Sequence, residues 1–118
     1  MARHNETGKL GEALAQKWLT KMGYDIIETN WRYSKWEIDI IAYKENTLHF
    51  FEVKTRRNDH FGRPEDLVDH QKLRYFISAG TAYIRNKRGF RWIRFDILAI
   101  TLDQNDHAEY FLIEDVYF

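Results

Sequence analysis

Two runs rich in apolar residues, Trp36 to Tyr43 and Thr47 to Thr55, are joined by a polar turn, Lys44-Glu45-Asn46-Thr47. A connection this short makes the two runs antiparallel neighbours and leaves little freedom in their register. With Glu45 and Asn46 as the central turn residues, Asp39 lies opposite Glu52 and Glu37 lies opposite Lys54. Alternation along a strand puts Glu37, Asp39 and Ile41 on one face and Ile38, Ile40 and Ala42 on the other. In the second run Phe50, Glu52 and Lys54 share a face, and Phe51 and Val53 take the opposite one. Directly opposed residues on one face have Cβ atoms about 5 Å apart. Two carboxylates therefore meet, flanked by an acid and a base, on strands otherwise built from Ile, Phe and Val.

Apposed carboxylates on apolar strands repel each other, and burial penalises both charges. A divalent cation offsets this by accepting oxygens from both. Mg²⁺ takes one or two protein carboxylates and fills its other octahedral positions with water and substrate phosphate. Such an ion lowers the pKa of a water and polarises a phosphorus–oxygen bond. Lys54 stands about 7 Å beyond Glu52 along the strand, where its ammonium can orient water or neutralise charge building on a phosphate. Asp39, Glu52 and Lys54 are the candidate catalytic residues, with Glu37 as the neighbour of Lys54. The alternative is an ion-pair cluster, Glu37 with Lys54 and Asp39 with Arg32 or Lys35.

The rest of the chain frames this hairpin. A first helix is expected from about Thr7 to Met22, with Leu10, Leu14, Trp18 and Met22 as its buried stripe and Gly23 as a left-handed cap. Tyr24 to Tyr33 reads as a strand. Arg56 to Asp69 is polar and irregular, and Asp69 caps a second helix running to about Asn86. Ala79 and Gly80 sit mid-face on that helix, where small residues let it lie close to a sheet. Arg91 to Leu102 and Tyr110 to Tyr117 complete an order α-β-β-β-α-β-β, an α/β single domain over residues 1–118 with a mixed sheet flanked by helices.

The 118 residues contain no cysteine, which excludes disulfides, thiolate nucleophiles and Cys-based zinc sites. The five histidines lack zinc-like spacing, and no glycine-rich phosphate loop is present. No apolar run reaches membrane-spanning length and no signal-peptide core opens the chain, so a soluble cytoplasmic protein is the expectation. Net charge is formally zero, but residues 1–100 hold all 18 Lys and Arg against 13 acids. The other five acids, Asp103, Asp106, Glu109, Glu114 and Asp115, follow without a single Lys or Arg. Arg56, Arg57 and Arg63 lead out of the acidic hairpin and can line a phosphate track. Aromatics reach 16%, serving the core first and base stacking second.

These residues resemble the PD-(D/E)xK phosphodiesterase superfamily of restriction enzymes and Holliday-junction resolvases, and more closely the YraN family of small bacterial endonuclease-like proteins. Gly8-Lys9-Leu10-Gly11-Glu12, Asn30-Trp31-Arg32, Glu37-Ile38-Asp39, Glu52-Val53-Lys54-Thr55-Arg56, Phe61-Gly62 and Arg94-Phe95-Asp96 carry the likeness across nearly the whole chain. The resemblance implies a restriction-endonuclease-like fold, with Asp39 and Glu52 as Mg²⁺ (or Mn²⁺) ligands and Lys54 as the catalytic lysine. It adds Glu12 as a helix-borne metal ligand, and Gln71 and Lys72 as nucleic-acid contacts. DNA is the implied partner, with hydrolysis of phosphodiesters as the activity, on branched or structured substrates, and a homodimer by analogy with resolvases. A binding module on the same fold with little or no turnover is the other reading. The chain departs from the pattern at Ile38, where the superfamily has Pro, and at Trp36, where the family has Gly. Helical geometry alone puts Glu12 roughly 60° outside the apolar stripe.

Overall fold

The computed structural model describes residues 2–57, 69–85, 87 and 92–116, with side chains from Glu6 onward. Its elements are α1 (Ala2–Lys21), β1 (Asp25–Tyr33), β2 (Trp36–Lys44), β3 (Thr47–Arg57), α2 (His70–Arg85), β4 (Trp92–Leu102) and β5 (Ala108–Ile113). The expected order is borne out. The strands form one sheet in the order β1-β2-β3-β4-β5, in which β3 and β4 are parallel and every other pair is antiparallel. A parallel pair needs a long crossover, and α2 lies within it.

Local chemistry sets the boundaries. Glu45 (φ 50°) and Asn46 (φ 62°) are both left-handed, the backbone of a tight hairpin turn whose twist matches its strands. The resulting register pairs Lys44 with Thr47, Ala42 with His49 and Ile40 with Phe51. Gly23 (φ 95°) ends α1, with its N–H donating to Thr20 O and the Tyr24 N–H donating to Leu19 O. That double bond closes the last helical turn as a Schellman motif. At the start of α2, Asp69 Oδ1 accepts from the Gln71 and Lys72 N–H groups at 3.0 and 3.2 Å, as expected of an N-cap.

The sheet is buried on both faces. Beneath α2, Ile38, Ile41, Leu48, Phe50, Phe95 and Ile97 pack with Leu73, Phe76, Ala79 and Tyr83. Gly80 is the point of closest approach, since a Cβ there would lie 2.5 Å from the Phe95 ring. Beneath α1, Ile40, Ala42, Phe51, Leu98, Ile100 and Leu102 pack with Ala15, Leu19 and Tyr24.

The stripe expected on α1 is displaced by one residue. Gly11, Ala15 and Leu19 are the deeply buried positions; Leu10, Leu14 and Trp18 flank them, and Met22 is 47% exposed. Close approach selects for the small residues: a Cβ on Gly11 would fall 1.8 Å from Thr55 Oγ1. The last strand ends at Ile113, earlier than expected. No helix among the described residues is long and apolar enough to cross a membrane.

Candidate functional site

Asp39 stands where the sheet opens. The β1–β2 ladder registers Thr29 with Ile40 and Trp31 with Ile38, passing over Asn30 and Asp39, and Asn30 has a left-handed φ of 51°. The β2–β3 ladder stops at Ile40 and Phe51. Beyond the end of that ladder, the Val53 N–H donates to Asp39 Oδ2 at 2.8 Å. Strict alternation also breaks at this point, because Ile38 joins Ile41 on the α2 side instead of joining Ile40 and Ala42. The β2–β3 ladder ends one pair short of the expected opposition of Asp39 and Glu52, and the expected opposition of Glu37 and Lys54 lies beyond its end as well. Glu37 instead faces Arg32 across β1, with Oε2 3.0 Å from Nη2 and 3.2 Å from Nε.

This opening lets Asp39 line clefts on both sides of the sheet. On the α2 side a cleft of about 400 Å³ brings it together with Lys35, Trp36, Glu37, Glu52, Lys72, Tyr75 and Phe76. On the α1 side a smaller one, about 190 Å³, joins it to Thr7, Gly8, Glu12, Val53 and Thr55. The shift of the α1 stripe toward Gly11 is what turns Glu12 toward the sheet, so the helical-geometry objection to that residue does not hold. Burial pushes the Asp39 carboxyl up to about 7; the Val53 N–H partly opposes this, and the charges of Glu52, Glu12 and Glu37 add to it. Burial, then Glu37, also raises Glu12. Four carboxylates thus feel one another around a single half-buried position.

Among the described residues, no three His, Cys, Asp or Glu side chains are drawn together as a ready-made metal cage. The donors are all hard carboxylate oxygens, which suit Mg²⁺ or Mn²⁺ and not a thiolate metal. Asp39 and Glu52 are the residues that can hold such an ion from the larger cleft, and Glu12 approaches Asp39 from the other face. A cation would offset the burial and the neighbouring charges that together push the Asp39 carboxyl up to about 7.

The bases divide. Lys54 is half-buried on β3 and close enough to Asp69 to help hold that carboxyl low, after the Lys72 and Gln71 N–H groups and the Lys72 charge. Lys72 lines the larger cleft. Gln71 is exposed beside it, its amide 3.3 Å from Tyr75 Oη. Arg56 is exposed on β3, whereas Arg57 is a structural clasp: Nη1 lies 2.7 Å from Asp106 Oδ1 and Nε donates to Thr7 Oγ1 at 3.2 Å. Arg57 is thus held within the protein rather than turned toward the cleft, and Asp106 of the acidic C-terminal segment is what holds it. Arg63 lies outside the described residues.

A profile of the uncharacterised protein family UPF0102 matches residues 11–100. The chain belongs to the UPF0102 family. A UPF0102 protein of Flavobacterium johnsoniae is 47% identical over 118 residues, covering 97% of this chain and 93% of the relative. One from Flavobacterium psychrophilum is 45% identical over 106 residues (90% and 89% coverage), and one from Dictyoglomus turgidum is 43% identical over 100 (84% and 85%). The resemblance read from the sequence is borne out at the level of this family.

The matched UPF0102 segment also contains a buried pair that local motifs did not reveal. His49 Nδ1 lies 2.8 Å from Asp96 Oδ2, and Asp96 is fully buried. Asp96 Oδ1 accepts the Asp115 N–H at 2.8 Å, while the Val116 N–H donates to Phe95 O. The pair pins the C-terminal segment to β3 and β4. Its sequence signals are a polar residue inside each of two apolar runs, Leu48 to Phe51 and Phe95 to Ile100, and the place of Asp96 in the Arg94-Phe95-Asp96 motif, to which the resemblance attaches no role.

Proposed function

We propose that this UPF0102 protein is a divalent-metal-dependent endonuclease with a restriction-endonuclease-like fold, hydrolysing DNA phosphodiesters at the cleft that holds Asp39 and Glu52. The observation that carries this reading is that Asp39 pairs in neither neighbouring ladder and lines, with Glu37 and Glu52, a cleft that also bears lysines. Asp39 and Glu52 would hold Mg²⁺ or Mn²⁺, with Glu12 positioned to help from the second cleft. When bound, the ion supplies Lewis-acid polarisation of the phosphate and acidification of water. Val53 fixes the orientation of the Asp39 carboxylate through its N–H, so this oxygen needs little reorganisation. Lys54 offsets charge building on the phosphate as water adds to phosphorus and the leaving oxygen departs, and Lys72 holds a neighbouring phosphate.

The second reading, a nucleic-acid-binding module with little turnover, draws on Trp36, a large ring lining the cleft beside Asp39. Cleavage of labelled linear, flapped and four-way DNA with Mg²⁺, Mn²⁺ or Ca²⁺, comparing wild type with Asp39→Ala, separates the two. Metal-dependent product from wild type alone supports hydrolysis; no metal-dependent product on any substrate sinks it. A homodimer, which resolvase-like cutting of two strands would need, is read out by sedimentation of the same preparations.

A further inference from the structure

A row of four aromatic rings leads into the larger cleft. Trp31 stacks on Tyr33 with centroids 6.2 Å apart and planes 7° from parallel; Tyr33 stacks on Trp36 at 5.9 Å and 26°. Trp36 then faces Tyr75 at 6.5 Å and 25°. The row crosses three elements: the edge strand β1, then β2, then α2. Its two tyrosines are 44% and 41% exposed, although nothing in an α/β core requires such rings at the surface. Lys35 Nζ sits 5.8 Å from the Tyr75 ring centre, and Lys72 lines the cleft that the row enters. Trp36 Nε1 is the one buried side-chain polar atom without a hydrogen-bond partner among the described residues.

Aromatic faces interleaved with cations match a single nucleic-acid strand, whose bases stack on rings while its phosphates meet ammonium groups. A duplex cannot use them, because its base faces are already stacked on one another and must be unstacked at a cost before they are exposed. Resting on the endonuclease reading of the same cleft, we infer that Trp31, Tyr33, Trp36 and Tyr75 form a stacking platform for unpaired bases, so that the site takes a single-stranded or flapped DNA segment and presents its adjoining phosphate to Asp39 and Glu52. Lys35 and Lys72 supply the phosphate contacts along that path. The orphaned Trp36 N–H offers a donor that a base carbonyl can satisfy once the ring adjusts to a bound strand.

The test is fluorescence anisotropy of a labelled oligothymidylate, a duplex of the same length and a flapped duplex, with Ca²⁺ in place of Mg²⁺. Tyr33→Ala and Tyr75→Ala each weaken single-strand and flap binding about tenfold, the size expected for one lost base stack. Tyr33→Phe and Tyr75→Phe keep the ring and restore binding, and binding to the duplex changes little in all four. Thermal melting confirms that the Ala variants fold. Ring-dependent binding without cleavage under Mg²⁺ or Mn²⁺ would remove the proposed hydrolysis and leave the platform standing. Cleavage with binding indifferent to the rings overturns the platform alone. A ring-dependent change in sedimentation with no ring-dependent DNA binding assigns the row to a second copy of the chain and also overturns it.

Discussion

Asp39 combines three properties that a structural carboxylate rarely shares: it is absent from both neighbouring ladders, bonded to a backbone N–H and surrounded by other acids. Its carboxyl rises from 3.8 to about 7 on folding, chiefly through burial. Between those values the folded chain keeps a proton that the unfolded chain has lost. This contribution to stability is thus fully present below about pH 4, falls as pH rises, and is gone above about 7. Asp39→Asn removes the penalty while keeping an oxygen for the Val53 N–H. In urea unfolding it should match wild type at pH 4 and exceed it at pH 8 by roughly 4 kcal/mol, the linkage free energy of a carboxyl raised from 3.8 to about 7. A difference that does not vary with pH would contradict the burial argument. Saturating Mg²⁺ at pH 8 should raise the wild-type midpoint and leave that of Asp39→Asn unmoved, because only the charged carboxylate gains from the ion.

Elements were more legible than the joints between them. The hairpin turn, the Gly23 cap, the Asp69 cap and the close approach at Gly80 all follow from short-range chemistry. Two features escaped because they depend on packing. The β2 alternation assumes an even pleat, and it fails beside Asp39, where Asn30 takes a positive φ and the pair is left out of the ladder. The α1 stripe was assigned to large apolar residues, yet glycine and alanine carry little hydrophobic signal while permitting the closest contact. Gly11 tests this. Gly11→Ala puts a Cβ into Thr55, so α1 must lift from β3; a loss of about 1–3 kcal/mol is expected, together with reduced metal-dependent cleavage as Glu12 moves away. Gly8→Ala is the control: nothing lies within 4 Å of its Cβ position, and replacing a helical glycine should add about 0.5–1 kcal/mol. Equal effects from the two substitutions would show that α1 does not rest on Gly11.

At the scale of the whole molecule, the site and the anchor of the C-terminal segment lie at different points along β3, with Glu52 serving one and His49 the other. The anchor was invisible to local motifs because its partners are 47 residues apart. Asp96→Ala strands both the His49 ring nitrogen and the Asp115 N–H in a buried place, and a loss of about 3 kcal/mol in urea unfolding is expected, with metal-dependent cleavage retained at temperatures where the variant is folded.

The formal neutrality of the chain has its own consequence for a nucleic-acid partner. Arg57 is engaged by Asp106, and the cations that line the cleft are Lys35 and Lys72, with Lys54 beside Glu52 on β3. A single strand neutralised by three such contacts loses affinity with a slope of about −2 in log Kobs against log[salt], at about −0.7 per phosphate. Stacking on Tyr33 and Tyr75 is independent of counterion release, so affinity should persist at salt concentrations that strip a purely electrostatic binder. Anisotropy titrations across a KCl series measure this slope directly. Lys72→Ala should flatten it by about 0.7, whereas Tyr75→Ala should lower affinity at every salt concentration without changing the slope. If both variants alter the slope alike, rings and cations are not separate contributors and the division of labour across the cleft is wrong.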